Sequence, residues 1–285
     1  MSDIFDFDRR KDQYAVMGNP IAHSKSPRIH SLFAEQTGQS LEYTAIQVDP
    51  GGFQQAVGNF DAAGGKGLNI TVPFKQEAWH LVSDRSERAE RAGAINTIKF
   101  DGNTLYGDNT DGVGLVNDLC DNNQLELKDK TILLMGAGGA ARGVIAPLLV
   151  KQPAAITIAN RTVDKAKELA QSFSDIGNLS GSSYAALNGK EFDLIINATA
   201  ASLQGDLPPL PENILTANAC CYDMMYAAAA TPFMQWAADH GAVKILDGLG
   251  MLVGQAAESF YLWRGVRPET QSVIATLRSE MLVKK

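Results

Sequence analysis

The first third of the chain alternates between apolar runs with the period of a strand and segments with the period of a helix. Strands are predicted at residues 14–17, 41–48, 67–72, 94–100 and 104–106. Helices are predicted at residues 27–36, 53–60 and 75–92. Gly38 marks the end of the first helix, and Asp101-Gly102 has the composition of a hairpin turn. This alternation predicts a layered α/β structure.

A second series of apolar runs begins after Asp111. Its strands are predicted at residues 131–135, 156–159, 193–197, 219–222 and 243–246. Its helices are predicted directly after the first of these strands and at residues 163–173, 231–238, 254–263 and 269–282. The start of this new series predicts a boundary between two α/β units near Asp111.

The composition of the 285-residue chain is that of a globular protein, with 45% hydrophobic and 20% charged residues. The length suffices for two domains of roughly 100–200 residues each. A formal net charge of −7 disfavours nucleic acid as a partner, because the average surface repels phosphate. No apolar run approaches the roughly 20 residues of a membrane helix, and residues 1–11 lack the apolar core of a signal peptide. We therefore expect a cytoplasmic protein with no membrane partner.

The cysteine and histidine positions form no pattern of metal ligands. Cys120 stands alone, while Cys220 and Cys221 are neighbours on a predicted strand, where successive side chains point to opposite faces. We expect all three to be reduced thiols of the core. The histidines are scattered without ligand spacing, at His23, His30, His80 and His240. We assign no metal site.

The strongest local motif is a glycine-rich turn between the first strand of the second unit and the helix after it. The turn consists of Gly136, Ala137, Gly138, Gly139 and Ala140. Glycine permits the unusual dihedral angles of a tight turn, and the N–H groups of the helix N-terminus can bind a pyrophosphate. Glycine-rich sequences also form ordinary loops, but the strand–turn–helix context favours dinucleotide binding.

The next strand of the second unit ends at Asn160-Arg161-Thr162, and Lys165 follows one turn later. NAD-binding folds usually place an acid at this point, which binds the ribose 2′-hydroxyl and repels a 2′-phosphate. Asn160 is neutral, and Arg161 can pair with phosphate through its planar guanidinium group. A helix cap at Thr162 beside a solvated Lys165 is a compatible alternative. The missing acid favours NADP over NAD as the cofactor.

Three polar clusters in the first unit are not explained by packing in a hydrophobic core. Ser24 and Ser26 precede a helix and offer two hydroxyl groups, as an ordinary helix cap also would. Residues 69–75 place an Asn, a Thr and a Lys on one face at the end of a strand, where ligands bind in α/β proteins. Residues 106–112 form a polar turn at the predicted boundary. Each cluster alone is compatible with a turn or a solvated surface.

Taken together, these segments resemble the successive motifs of the shikimate dehydrogenase family. In the first unit the matching segments are Ser24-x-Ser26 and residues 69–75 (NITVPFK), 93–97 (GAINT) and 109–112 (NTDG). In the second unit they are residues 136–140 (GAGGA), 160–162 (NRT), 197–199 (NAT), 222–226 (YDMMY) and 247–256 (DGLGMLVGQA). The ordered match runs from about Tyr14 to Arg267, which is nearly the whole chain.

The resemblance implies a fold and a reaction. The fold is an N-terminal α/β substrate-binding domain, residues 1–110, and a Rossmann-fold NADP-binding domain, residues 111–249, with the helices of residues 250–285 packing back onto the first. The reaction is the reversible NADPH-dependent reduction of 3-dehydroshikimate to shikimate, in the shikimate pathway of chorismate and aromatic amino-acid biosynthesis. A monomer and a homodimer both remain open.

The resemblance also implies the roles of individual residues. Lys75 would be the catalytic proton donor and acceptor, acting with Asp111. The residues that would bind the substrate carboxylate are Ser24, Ser26 and Tyr226. The residues that would bind the ring oxygens are Thr71, Lys75, Asn96, Asp111 and Gln255. The residues near the nicotinamide half of the cofactor would be Glu87, Met224 and Gly248.

The chemistry of ketone reduction independently favours Lys75. The reaction needs a hydride donor on one face and a proton donor within hydrogen-bond reach of the oxygen. An ammonium group can supply the proton and also stabilise the developing alkoxide charge. A merely solvated lysine at a helix start is the alternative, and it is disfavoured because helix starts prefer acids to cations.

Three segments depart from the family pattern: Lys165 replaces a common arginine, Ala200-Ala201 replaces hydroxyl residues, and residues 227–230 replace a more polar loop. These departures concern cofactor affinity rather than the reaction. Two other functions remain open. One is a shikimate/quinate dehydrogenase with relaxed cofactor choice, which tends to carry an acid near Asn160. The other is a non-catalytic nucleotide sensor on the same fold, which should have lost Lys75 or Asp111.

Overall fold

The computed structural model of the chain describes residues 11–102, 104–199, 201 and 205–283. Of the predicted features, Ala200 and part of the terminal segments lie outside the described residues. The strands of the first sheet are β1 (Asp12–Gly18), β2 (Leu41–Gln47), β3 (Gly67–Ile70), β4 (Asp84–Arg85), β5 (Thr97–Asp101) and β6 (Thr104–Asp108). The helices between them are α1 (Ser26–Thr37), α2 (Phe53–Ala62), α3 (Lys75–Leu81) and α4 (Glu87–Ala92).

The first sheet is mixed, with the strand order β2-β1-β3-β5-β6-β4. β1 runs parallel to β2 and β3, whereas β5 runs antiparallel to β3 and β6. The hairpin between β5 and β6 is confirmed, and Gly102 in its turn has a φ of 61°. A side chain would be strained at that angle, so the glycine is required by the turn. The carboxyl ends of β1 and β3 lie side by side, which brings the polar segments after them together.

The second sheet is entirely parallel. Its strands are β7 (Thr131–Met135), β8 (Ala155–Ala159), β9 (Leu179–Ser182), β10 (Phe192–Asn197), β11 (Leu215–Asp223) and β12 (Lys244–Asp247). The helices before and between them are α5 (Asp111–Asn117), α6 (Gly139–Val150), α7 (Val163–Gln171) and α8 (Pro232–Asp239). The order β9-β8-β7-β10-β11-β12 is the doubly wound order of dinucleotide-binding folds. The strand order reverses between β7 and β10, which opens a crevice at their carboxyl ends.

Two final helices, α9 (Leu249–Arg264) and α10 (Gln271–Val283), return to the first sheet. They share one buried apolar cluster with α1, which includes Ile29, Phe33, Leu249, Val253, Phe260, Val273 and Leu277. The Trp263 indole N–H on α9 donates to the Ile98 carbonyl of β5 over 3.0 Å. The implied return of the C-terminal helices to the first domain is therefore confirmed.

The helices α5 and α9 cross at very short range. A Cβ on Gly114 would lie 2.5 Å from the backbone nitrogen of Gln255, and a Cβ on Gly254 would lie 2.9 Å from the Gly114 carbonyl oxygen. Such distances exclude any side chain at either position. The crossing brings the start of α5, with Asp111, beside the Gln255 turn of α9.

The predicted elements and the structure differ at several points, and helix α5 is one element that was not predicted. The single helix predicted at residues 75–92 is wrong, because the backbone becomes extended at Val82 (φ −98°, ψ 121°) and β4 pairs with β6. A new helix, α4, starts after Ser86, whose hydroxyl accepts from the Ala89 N–H over 3.1 Å. Strand β9 has no counterpart in the prediction, because its sequence LSGS contains no apolar run.

The adjacent cysteines of β11 confirm the predicted alternation of faces. Cys220 belongs to the core cluster on one side of the second sheet and Cys221 to the cluster on the other. Burial raises the pKa of each thiol to about 12. Cys120 is half-buried, and burial also raises its pKa. These thiols are protonated at neutral pH and therefore poorly reactive.

His30 on α1 is a buried polar side chain in an aromatic setting. Its ring stacks on Tyr43 at a centroid distance of 4.2 Å and is fully buried. Neither ring nitrogen has a hydrogen-bond partner among the described residues. Burial lowers the pKa of His30 to about 3. The unfolded chain, with a histidine pKa of about 6.5, therefore binds a proton between these values that the folded chain does not.

We expect His30→Phe to remove part of the loss of stability on acidification. From pH 7.5 to pH 5, His30 should lower the free energy of unfolding of the wild type by about 2 kcal/mol, because its protonation favours the unfolded chain. Urea unfolding of both proteins at the two pH values measures the difference. The exposed His80→Phe serves as the control and should leave the pH dependence unchanged. Equal pH dependence in His30→Phe and wild type would contradict a neutral buried His30.

Candidate active site

A cavity of about 350 Å³ lies between the carboxyl ends of the strands of the first sheet and helix α9. Every residue predicted to bind substrate lines it: Ser24, Ser26, Thr71, Lys75, Asn96, Asp111, Tyr226 and Gln255. Met224 and Gly248, which were predicted to lie near the nicotinamide, line the same cavity. Residues far apart in the sequence thus share one small polar space, because the β1–α1 and β3–α3 connections meet there.

Lys75 and Asp111 form an ion pair in the wall of this cavity. The Lys75 Nζ atom lies 2.5 Å from Asp111 Oδ2. The Lys75 side chain is 31% exposed and that of Asp111 is 16% exposed, so the lysine is the more accessible member. Each is the first residue of a helix, α3 and α5 respectively. That position stabilises the aspartate and disfavours the lysine, whose charge is balanced here by Asp111.

The second oxygen of Asp111 is held by Asn96. The Asn96 Nδ2 group donates to Asp111 Oδ1 over 2.8 Å and approaches Gln255 Oε1 at 3.3 Å. The Asn96 Oδ1 atom accepts from the Thr110 N–H over 2.9 Å. These bonds fix the orientation of the Asn96 amide, because its oxygen and nitrogen have different partners. Asp111 is therefore held from both sides.

A buried layer of hydrogen-bonding groups supports the cavity, and sequence reasoning did not assign it. Ser259 on α9 is fully buried and lies 2.7 Å from Thr97 Oγ1. Asn69 Nδ2 donates to the Ser259 hydroxyl over 3.0 Å, and Tyr43 donates to Asn69 Oδ1 over 2.7 Å. Two signals could have pointed to this layer. Ser259 stands one helical turn after Gln255, and Tyr43 has the inward phase of β2.

The hydroxyl groups of Ser24, Ser26 and Tyr226 line the cavity. Ser26 begins α1, and its N–H donates to the Ser24 hydroxyl over 3.3 Å. The N-terminus of a helix favours an anion through its free N–H groups. Burial raises the pKa of Tyr226, and the negative charge of Asp247 raises it further. Tyr226 is therefore a protonated hydrogen-bond donor at neutral pH. These groups together suit a carboxylate.

The glycine-rich turn follows β7 at the crevice of the second sheet. Gly136 has a φ of 105°, an angle that favours glycine. Helix α6 begins at Gly139, and a Cβ placed on Gly138 or Gly139 would meet nothing within 4 Å. Gly138, Gly139 and Ala140 are exposed. The free N–H groups of this helix start thus face open space, which fits a pyrophosphate.

The segment after β8 lines a second cavity, of about 480 Å³, with Thr199 and residues 206–209. Asn160 Nδ2 donates to the Thr162 carbonyl over 2.9 Å, and Thr162 is the N-cap residue of α7 without a side-chain cap bond. Arg161 and Lys165 are exposed. Neither forms an ion pair with any other described residue. Both cations are therefore available to a phosphate.

Glu87, which was predicted to lie near the nicotinamide half of the cofactor, does not line the substrate cavity. Its side chain is 86% exposed and faces Arg91 at 3.5 Å. The next residue, Arg88, is turned inward to Asp108. Successive residues of a helix point about 100° apart, so Glu87 on α4 faces solvent. Its contact with the cofactor stays a prediction.

Within the described ranges of the chain, no group of three or more His, Cys, Asp or Glu side chains could hold a metal ion. No helix in the described part of the chain has the length and apolar character needed to cross a membrane.

The doubly wound sheet, its glycine turn and the lysine–aspartate cavity beside it define a two-domain nicotinamide-dependent oxidoreductase. Family models for the substrate-binding domain of shikimate dehydrogenase, for shikimate/quinate 5-dehydrogenase and for the shikimate 5′-dehydrogenase C-terminal domain match residues 16–98, 118–204 and 248–278. The chain belongs to the shikimate dehydrogenase family.

Similar proteins cover nearly the whole chain. The NADP-dependent shikimate dehydrogenase of Cellvibrio japonicus is 56% identical over 96% of this chain and 99% of its own length. The crystal structure of an Ael1 enzyme from Pseudomonas putida has a TM-score of 0.90, with 46% identity over 94% of this chain and 98% of that one. A shikimate 5-dehydrogenase from Thermus thermophilus in complex with NADP(H) and shikimate has a TM-score of 0.84, with 30% identity over 94% and 99%.

We expect the double variant Asn160→Asp/Arg161→Ala to shift cofactor preference from NADP toward NAD. The change removes a phosphate partner and adds a charge that repels a 2′-phosphate. The ratio of kcat/KM for NADP to that for NAD should fall by roughly 100-fold. The matched control is Lys167→Ala, which removes an exposed cation from α7 away from this cavity. An unchanged ratio in the double variant would place the 2′-phosphate elsewhere.

Proposed function

We propose that the chain catalyses the reversible NADPH-dependent reduction of 3-dehydroshikimate to shikimate. The observation that carries this proposal is the Lys75–Asp111 ion pair, at 2.5 Å, in a cavity lined by residues from both domains. The family membership supports the same reaction. NADP is the cofactor named for the curated relatives, and the exposed Arg161 beside a neutral Asn160 suits its 2′-phosphate.

The substrate fits the cavity by its charge and its hydroxyl groups. In this proposal the carboxylate lies at the hydroxyl end, where Ser24, Ser26 and Tyr226 donate hydrogen bonds. The ring oxygens lie at the opposite end, at Thr71, Lys75, Asn96, Asp111 and Gln255. Asp111 and Gln255 offer acceptors for the hydroxyl groups, while Asn96 supports Asp111. This two-ended arrangement fixes which ring carbon faces the cofactor.

In the proposed mechanism, Lys75 donates and accepts the proton. When bound, the dinucleotide supplies the hydride to the ring ketone. The Lys75 ammonium group donates a proton to the ketone oxygen and stabilises the alkoxide charge that develops on it. Asp111 holds that ammonium group through its Oδ2 atom and binds the neighbouring ring hydroxyl. In the reverse direction, the neutral Lys75 amine accepts the proton from the shikimate hydroxyl.

In this proposal, Met224 and Gly248 form the part of the cavity wall at which the cofactor lies against the substrate. A Cβ on Gly248 would lie 2.0 Å from the Met224 carbonyl oxygen, so the segments after β11 and β12 are in direct backbone contact. Both residues line the cavity that contains Lys75. We place the nicotinamide ring against these two residues and the pyrophosphate on the turn of residues 136–140.

The domain assignment and the compartment belong to the same proposal. Residues 1–110 with 250–285 form the substrate-binding domain, and residues 111–249 form the NADP-binding domain. The contacts of α9 and α10 with α1 support this division. We place the protein in the cytoplasm, where NADPH is available.

Two other possible functions would give different results in an activity assay. A shikimate/quinate dehydrogenase with relaxed cofactor choice would oxidise quinate and would accept NAD. A non-catalytic nucleotide sensor would bind NADP without turnover. Shikimate-dependent reduction of NADP, compared with NAD and with quinate as the alternative partners, separates these possibilities in one assay. The contact between Lys75 and Asp111 favours an enzyme over the sensor.

We expect Lys75→Ala to lower kcat roughly 100- to 10,000-fold with little change in KM for shikimate. The reason is that Lys75 acts mainly in the transition state, as a general acid and base. Steady-state kinetics with NADP in excess measures both constants. The control is Lys66→Ala, which removes an exposed lysine at the opposite end of β3. A loss confined to KM would make Lys75 a binding residue only.

A further inference from the structure

Two buried carboxyl groups lie at the start of α9. Asp247, the last residue of β12, is 8% exposed, and its Oδ1 atom accepts from the Leu249 N–H over 3.2 Å. Asp118 lies in the π-helical turn Asp118–Asn122 and is 4% exposed. The Tyr222 hydroxyl donates to Asp118 over 2.7 Å and accepts from the Met251 N–H at 3.3 Å. Asp247 thus binds the first turn of α9 directly and Asp118 through the Tyr222 hydroxyl, at a helix start where a negative charge is favourable.

One cation of the C-terminal helix binds one of these two carboxyl groups. Arg278 on α10 donates to Asp247 through both ends of its guanidinium group, over 2.6 Å to Oδ1 and 2.7 Å to Oδ2. Its side chain is 40% exposed, whereas that of Asp247 is 5% exposed. Among the ion pairs of the described residues, no second cation pairs with Asp247 or Asp118. The charge of Asp247 therefore depends on Arg278 for its balance.

The carboxylate of Asp247 lies outside the substrate cavity, but its charge affects the electrostatic potential inside it. Its neighbour Gly248 lines the cavity, whereas Asp247 and Arg278 do not. The negative charge of Asp247 is one of the causes that raise the pKa of Tyr226. Tyr226 lines the end of the cavity that we assign to the substrate carboxylate. An unbalanced charge on Asp247 would repel an anionic substrate through this poorly solvated region.

We propose that Arg278 is a positioning residue that neutralises Asp247, so that the cavity beside Tyr226 accepts an anionic substrate. The inference rests on the proposed placement of the substrate carboxylate at that end of the cavity. Arg278 touches neither substrate nor cofactor and acts through Asp247. Its planar group also fixes both oxygens of Asp247, and thereby the carboxylate that holds the start of α9.

The primary test is the variant Arg278→Met, which keeps an apolar stem of similar length and removes the charge. At an ionic strength of roughly 0.02 M, KM for shikimate should rise about tenfold, while kcat changes less than about twofold. At roughly 0.5 M the rise in KM should shrink to about threefold or less, because the loss of the half-exposed Arg278 group opens Asp247 to solvent, where salt screens its charge. A purely structural defect would not follow ionic strength in this way.

The second test restores neutrality without restoring the arginine. In Arg278→Met/Asp247→Asn, the asparagine oxygen can still accept from the Leu249 N–H, and the excess negative charge is gone. KM for shikimate should return to within about twofold of the wild type. Arg278→Lys, which keeps the charge but not the two-pronged geometry, should also stay near the wild type. Together with the raised KM of Arg278→Met, the near-normal KM of these two variants separates a lost charge from lost packing.

The matched control is Arg267→Met. Arg267 forms an ion pair with Glu258 at 2.7 Å, does not line the cavity and belongs to the same C-terminal region. Its loss removes one positive charge and one ion pair from that region. KM for shikimate should therefore change less than about twofold, which separates a local charge effect from a change in net charge.

Tyr226→Phe and Ser26→Ala, measured alongside, separate this inference from the placement on which it rests. A raised KM in these two variants with an unchanged KM in Arg278→Met overturns the role of Arg278 and keeps the placement. An unchanged KM in all three overturns both. A raised KM in Arg278→Met that ignores salt and is not restored by Asp247→Asn also overturns the proposal, because Arg278 would then act only on packing.

Discussion

The close crossing of α5 on α9 is the constraint on which the rest of the structure depends. Gly114 and Gly254 let the two backbones touch, and a Cβ on Gly112 would also lie 2.5 Å from the Gly143 carbonyl oxygen of α6. Glycine inside a helix costs about 1 kcal/mol relative to alanine, so this short helix keeps its glycines for contact rather than for helix stability. Because α5 is pressed between α9 and α6, it joins the two sheets. Asp111 lies in the first turn of α5, so the position of its side chain depends on the packing of both sheets.

The crossing also explains why the polar groups around the substrate cavity can be buried. Unpaired polar groups are costly in the interior, and a network lowers that cost when each member has a partner. Thr110 donates to the Gln255 carbonyl over 3.0 Å, and Ser259 donates to the same oxygen over 3.0 Å. Asn69 and Asn96 connect these groups to the first sheet. With its amide groups fixed in orientation, the cavity presents donors and acceptors in a set order before substrate arrives.

Local signals in the sequence predicted much of the fold, whereas the resemblance to a known family implied most residues of the candidate site. Gly136 directly follows strand β7, so the glycine motif and the strand before it can be recognised together in the sequence. The break at Val82 could not be predicted, because it depends on the pairing of β4 with the distant β6. The exposed position of Glu87 has the same origin, since the inward turn of Arg88 to Asp108 sets the face of α4. Ser259 was not predicted, because three of its four polar neighbours, Asn69, Thr97 and Thr110, come from other segments of the chain.

The two halves of the proposed reaction come from different sheets. Lys75 follows β3 of the first sheet, whereas Met224 and Gly248 follow β11 and β12 of the second. The carboxyl ends of both sheets therefore face one cavity, and the distance between proton donor and hydride donor is set by the packing of one sheet against the other. Hydride transfer requires the reacting atoms to approach to about 3–3.5 Å. Residues that fix α5 and α9, although they touch no substrate, thus control the reaction geometry as directly as the residues that do.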